Sequence, residues 1–492
     1  MTGESRPCEV RAARPAAGDQ RFGDLTALPV PLLVRRLAVP ASVGLFFSTM
    51  YNVVDTVFAG LISTRALAAL SLSLPVFFII IAAGAGFGTG ATALIGNAFG
   101  EGDRDKAGRM ALKALAVGLG ISAGLTGFGL GASPFLFTTL GASGDYLDTC
   151  LVYMRTIFTG TVFFVTVYML NAVLQALGDT RSFRNFLIAG FFLNVGLDPW
   201  FIYGGLGLPG MGIAGIALAT VLIQVIGCAY LGWRVGRTGI LSCLRPRDAI
   251  PNREALGEIL RQGFPAMVNL LTVGIGIFVI TYFVSVFGEK AVAAYGSAMR
   301  VEQIVLIPTI GLNTATLALV AQNNGARLYD RVREALRTSL IYGAVVMAVG
   351  TVAVFLLARP LMGIFTDDTT VVGIGAVYLR IDALVLYAYV VLFVHVAALQ
   401  GIKRPFFAVW IGLARQVVLP GAVFGVLVHG IGTGLLGIWW GIFGITWAAA
   451  LFTAVYARRI LNRAFEEGDV QRNGAAPNRS GRRRGVSEAT GS

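Results

Sequence analysis

Twelve runs of apolar residues follow one another along the chain, the first at about 37–62 and the last at about 434–457. Each approaches or exceeds the roughly 20 residues that a helix needs to cross a bilayer. In hydrocarbon every backbone amide must be satisfied internally, which runs of this length do by folding as helices. Only 13% of residues are charged and the mean hydropathy is +0.74, which excludes an ordinary soluble domain. The expected fold is an all-α membrane protein of twelve transmembrane helices.

The two halves of the chain repeat each other without a gap. Pro265 minus Pro40 gives an offset of 225, and the same offset carries Gly86 to Gly311, Thr89 to Thr314, Gly100 to Gly325, Arg155 to Arg380 and Gln175 to Gln400. One register held over so long a stretch is an internal repeat. Six spans per half return the chain to its starting side. The repeats are therefore parallel, related by an axis along the membrane normal, an arrangement that suits a cavity between two bundles and transport by rocking. The expected organisation is an N-terminal lobe over 35–233, a linker over 234–258 and a C-terminal lobe over 259–460. Polar segments at 1–34 and 461–492 are expected to be disordered.

The net charge of +13 does not indicate nucleic acid, because its placement is topological. Basic clusters such as Arg104/Lys106/Arg109, Arg327 to Arg337 and Lys403/Arg404 lie in the loops after even-numbered spans, whereas the opposite loops hold little beyond Arg65, Lys290 and Arg359. The positive-inside rule then puts both termini in the cytoplasm of a multi-pass protein of the inner (plasma) membrane. Cys8, Cys150, Cys228 and Cys243 fit neither a metal pattern nor a disulfide framework. Gly86-Phe87-Gly88 follows no strand, and no G-x-x-x-x-G-K-[ST] occurs, so neither a dinucleotide nor ATP is expected, and no cofactor.

Where the halves match, scaffold is expected; where one half alone carries a polar group, function is expected. Asp55 maps onto Ile280, Asn194 onto Leu419, Asp198 onto Val423 and Asn171 onto Val396. A charged group at a membrane helix centre costs about 2.5–3.5 kcal/mol even on the mildest scale, so it needs a use. Asn194 and Asp198 are four apart and share a helix face, as do Tyr51 and Asp55. Pro199 loosens the backbone beside Asp198. The two carboxylates are expected to approach each other inside the first bundle, where they must share a proton or take up a cation. His395 is read as a packing residue and Arg155 and Arg380 as structural; Arg300 and Glu302 could pair locally, though two apart they do not share a helix face.

Asn52-Val53-Val54-Asp55-Thr56-Val57-Phe58-Ala59-Gly60, Asn171 to Arg181, and Asn194-Val195-Gly196-Leu197-Asp198-Pro199 with Gly210 to Thr220 together resemble the multidrug and toxic compound extrusion (MATE) family over about 35–460. The resemblance is to its DinF-like branch. It implies two six-helix lobes around a V-shaped cavity. It also implies a cation-coupled antiporter, driven by protons or sodium, that exports drugs or toxic organic compounds by alternating access. Cationic or amphipathic substrates and a monomer are expected. The matching site is Asp55, Asn171, Asn194 and Asp198, with Tyr51 and Thr220 in support, and sodium is the only metal it suggests. The NorM-like branch adds a Glu on span seven, where this sequence has Val273. A lipid-linked oligosaccharide flippase of the same superfamily is the alternative. It would call for several arginines in the first-half spans, which hold little beyond Arg155.

Overall fold

A computed structural model describes residues 24–205, 207–242 and 244–474. Cys8, Cys243, residues 1–23 of the N-terminal segment and the Arg482-Arg483-Arg484 run of the tail lie outside the described residues.

The first lobe holds α1 (Val30–Ile62), α2 (Thr64–Gly100), α3 (Arg104–Thr139), α4 (Gly144–Thr159), α5 (Thr161–Ala176), α6 (Arg181–Tyr203) and α7 (Ile213–Arg237). The second holds α8 (Arg253–Ser285), α9 (Glu289–Val305), α10 (Ile307–Gly325), α11 (Tyr329–Gly363), α12 (Thr369–Ala383), α13 (Leu386–Gly401), α14 (Phe406–Leu413), α15 (Leu419–Gly425) and α16 (Gly434–Gly474). Among the described residues nine stretches are long and apolar enough to cross as single spans, and α4/α5, α9/α10 and α12/α13 are further spans bent by 45°, 43° and 50°. Nine and three make the twelve spans of two six-helix lobes. The helices outrun the apolar stretches. α1 begins at Val30 within the segment read as 1–34, α7 and α8 leave 238–252 between them where the sequence reading has 234–258, and α16 continues to Gly474. Apolarity marks only the membrane-buried part, while local capping extends helices into water. Asn252, for example, accepts the Ala255 amide at 3.3 Å to start α8.

The bends obey the repeat. The α4/α5 break lies at Gly160, and 160 plus 225 is Val385, within the α12/α13 break. A break frees backbone carbonyls that lipid cannot satisfy. Thr126 of α3 donates to Phe158 O at 2.9 Å, and its repeat mate Thr351 of α11 donates to Ala383 O, the mate of Phe158 O, at 2.7 Å. The third break, at Leu306, has no counterpart in the unbroken α2.

The lobes meet at the end of the bundle that carries both described termini, and symmetry governs the seam. A Cβ on Gly100 would land on Gln322 O; one on Gly325 would land on Asn97 O, and Gln322 is the mate of Asn97. Likewise Gly86 lies against Met267 and Gly311 against its mate Ser42. Small residues admit this backbone approach, which is how membrane helices pack without a hydrophobic driving force. Hydrogen bonds fasten the same seam. Asn97 Nδ2 donates to Gly401 O at 2.7 Å, and its mate Gln322 Nε2 donates to Ala176 O, the mate of Gly401 O, at 2.6 Å. Asn324 adds a bond to Asn97 Oδ1 at 2.7 Å, and Gln175 one to Thr314 O at 3.1 Å. The segment before α1 joins them: Leu25 N donates to Gln322 Oε1 at 3.0 Å, and Arg331 donates to Leu28 O at 2.6 Å.

Candidate functional site

Three elements of the first lobe bring polar groups into one buried pocket. α1 packs along α6, so that Asp55 and Asn194 face each other. Asn194 Nδ2 donates to Asp55 Oδ1 at 2.8 Å. Asp198, one turn further along α6, is fully buried and neighbours Asp55. Both of its carboxylate oxygens, Asn194 Oδ1 and the Tyr51 hydroxyl lack a hydrogen-bond partner among the described residues. Pro199 cannot donate to Val195 O, which leaves α6 adaptable next to this carboxylate. Thr220 of α7 stands beside Tyr51, with its hydroxyl bonded back to Ile216 O at 3.0 Å.

No ion pair reaches Asp55 or Asp198 among the described residues. Two buried carboxylates without a cationic partner are unstable as two charges, because burial strengthens their repulsion and removes the water that would screen it. The pocket therefore calls for a proton or a cation. Its donors are all oxygens, which suits a hard cation and offers nothing to a thiophilic metal. Groups of three or more His, Cys, Asp or Glu that could hold a metal ion are absent among the described residues.

The structure gathers Asp55, Asn194, Asp198, Tyr51 and Thr220 at this site. Asn171, on α5, is half-buried and makes no hydrogen bond to them among the described residues. Tyr153 of α4 was missed by sequence reasoning. It is buried and adjoins both carboxylates. Its repeat mate, at 153 plus 225, is Tyr378, which adjoins the acidic cluster of the other lobe, so the matching halves marked it as scaffold.

A second polar cluster without polar repeat mates lies in the other lobe, beyond the four positions picked out from the sequence. Glu302 of α9 accepts a hydrogen bond from the Tyr378 hydroxyl at 2.7 Å. It is therefore not half of a local pair with Arg300. Asp382 of α12 is 3% exposed, and its Oδ1 has no partner among the described residues. Arg415 completes the set from a π-helical turn between α14 and α15. The mates of Glu302, Asp382 and Arg415 are Phe77, Ile157 and Gly190, none of them polar. Val273 lines the same cavity as Glu302, so the second lobe places an acid from span eight where span seven offers none. His395 is buried, with Nδ1 2.7 Å from Val391 O and Nε2 without a hydrogen-bond partner among the described residues.

The MatE family model matches residues 40–200 and 265–427, one copy in each lobe. The probable multidrug resistance protein NorM of Thermotoga maritima is 27% identical, with 83% of this chain and 88% of the relative covered. An FAD transporter of Shewanella oneidensis is also 27% identical, over 84% of this chain and 91% of the relative. A MOP superfamily transporter from Pyrococcus furiosus, described by the reverse polarity of its binding pocket, superposes with a TM-score of 0.84 at 26% identity, covering 89% of this chain and 98% of that one.

Proposed function

Since the chain belongs to the MatE family, a family of membrane transporters, we propose that it exports small organic compounds, drugs among them, in exchange for a proton or sodium ion by alternating access. The Thermotoga relative's name supports drug export, and the Shewanella relative brings aromatic anions into the range of candidate substrates. In this reading the basic loops and both termini face the cytoplasm, one chain works alone, and the seam closes the cytoplasmic side.

The observation that carries ion coupling is the unpartnered Asp198 carboxylate beside Asp55. Binding a proton or cation there removes the repulsion between α1 and α6 and lets them close together. Pro199 provides the point at which α6 yields. Coupling then needs the ion to favour one facing state and the substrate the other, and each ligand shifts the equilibrium only by its difference in affinity between the states. Sodium would find carboxylate oxygens from Asp55 and Asp198, with Asn194 Oδ1 and the Tyr51 hydroxyl within the same pocket. A proton would need only the carboxylates.

Ethidium efflux from vesicles, with pH and sodium gradients imposed separately, tests this reading. Wild-type protein should respond to one of the two gradients, and Asp55→Asn should lose the response while remaining inserted. Wild-type efflux in that variant would end the proposal.

A further inference from the structure

The second lobe encloses a cavity between α8, α9, α12, α13, the π-helical turn Ala414–Val418, α15 and α16. Its polar lining includes Tyr295, Glu302, Tyr378, Tyr389, Arg415 and Gln416, with Gln303 and Thr446 beside them. Arg415 is 8% exposed, and that remnant faces the cavity. Its guanidinium lies 5.4 Å from the Tyr389 ring centroid. It forms no hydrogen bond and no ion pair within 4.0 Å among the described residues. Five N–H donors in a rigid fork are thus held at a cavity wall with no protein acceptor.

A guanidinium inside a membrane span is costly and does not persist as filler. Neutralising the acids is not a sufficient role. Glu302 already has the Tyr378 hydroxyl, and although it feels the Arg415 charge it does not approach to pairing distance. The π-helical turn adds a residue to the local helical circuit, a feature that recurs at functional sites. Here it includes Arg415 and Gln416, side by side on the wall. Tyr295, Tyr378 and Tyr389, with Phe393 and Phe424, set aromatic rings among aliphatic side chains such as Ile277 and Met299 on the rest of the wall. An anionic head for the guanidinium and a flat ring for the tyrosines is the complement of this lining.

We propose that the second-lobe cavity recognises aromatic organic anions, with Arg415 receiving the carboxylate in a bidentate hydrogen-bonded pair and the tyrosines contacting the ring. This rests on the export reading above and narrows its substrates. Glu302 and Asp382, the two acids in or beside the cavity, oppose such a ligand electrostatically and so set how tightly it is held.

The test is equilibrium binding to the purified full-length protein in detergent, read by ligand fluorescence. The probes are coumarin-3-carboxylate and coumarin-3-carboxamide, which have nearly the same shape and differ by one charge. Wild-type protein should prefer the carboxylate by on the order of tenfold or more, the scale of a charge-assisted hydrogen bond. Arg415→Gln should abolish the preference, Arg415→Lys should retain part of it, and Glu302→Gln should increase it. Equal binding of the two probes by wild-type protein, or a preference that survives Arg415→Gln, overturns the proposal. If Arg415→Gln fails to fold, a Glu302→Gln preference no greater than wild type overturns it instead. The measurement uses no gradient, so it fails independently of ethidium efflux. Efflux without carboxylate preference would retire this inference alone, and preference without efflux would retire the export reading.

Discussion

The two amides that fasten the seam offer the most quantitative test of the proposed alternating access. Asn97 and Gln322 are repeat mates, almost fully buried, and each makes two hydrogen bonds across the seam. Asn97 bonds Gly401 O and Asn324; Gln322 bonds Ala176 O and the Leu25 amide. A hydrogen bond contributes about 0.5–1.5 kcal/mol net. Replacing either amide by Ala should therefore destabilise the seam-closed state by about 1–3 kcal/mol, shifting the ratio of facing states by about 5–150-fold. Symmetry adds a constraint: the two variants should have effects of similar size, because each removes one bond of a repeat-related pair and one further bond. Spin labels at Leu61→Cys and Val286→Cys report on this. Both positions are exposed and are themselves repeat mates at the far ends of α1 and α8. With the native cysteines replaced, electron–electron distance measurements should show one dominant population in the parent and a second growing in by a similar amount in Asn97→Ala and Gln322→Ala. Unchanged distributions in both would refute the idea that these bonds decide the state.

Further expectations follow from single contacts. Tyr153→Phe should lower gradient-driven ethidium efflux severalfold without loss of inserted protein, and wild-type rates would remove Tyr153 from the site. Asp179 accepts the Arg181 and Ser182 amides at 3.0 Å and pairs with Arg234 at 3.0 Å, so Asp179→Ala should cost about 3 kcal/mol, read as a lowered thermal midpoint. An unchanged midpoint would show the pair to be dispensable. Gly100→Leu should prevent seam closure, because its side chain meets the Gln322 carbonyl, and the same spin-label pair should then show the other facing state even in the parent background. Lys290, 2.8 Å from Asp368, and the capped Thr370 and Val371 amides hold the Asp368 carboxyl below its ordinary range. A depressed value stabilises above the unfolded pKa and is lost as pH falls through the folded one. The thermal midpoints of wild type and Asp368→Asn should therefore differ at neutral pH and converge in acid; a difference independent of pH would contradict this.

Much of the architecture was legible because it follows from one-dimensional constraints. Bilayer thickness sets the apolar run length, and the 225-residue offset declares two like lobes before any contact is known. The same offset identified scaffold glycines that the structure places at the seam, Gly100 with Gly325 and Gly86 with Gly311. Asp55, Asn194 and Asp198 were legible as a set because a polar group in an apolar span stands out against its mate. Tyr153 was not, because a tyrosine conserved in both halves looks like scaffold until its neighbours are known. The ends of α1, α7 and α16 were misplaced for a related reason, since helix continuation into water depends on caps and packing.

Sequence alone thus determined the number of spans, the division into two lobes, the symmetry relating them and the first-lobe carboxylates, all properties carried by composition and spacing along the chain. Tertiary structure decided which groups meet. It turned Glu302 away from Arg300 and onto Tyr378, set Arg415 against Tyr389 at a cavity wall, and joined the lobes through Asn97 and Gln322. The physical reason is that these contacts join residues far apart in the chain. The bends at 160 and 306 and the π-helical turn at 414–418 rotate helix faces by amounts that no regular periodicity specifies, so partners across them emerge only once the helices are packed.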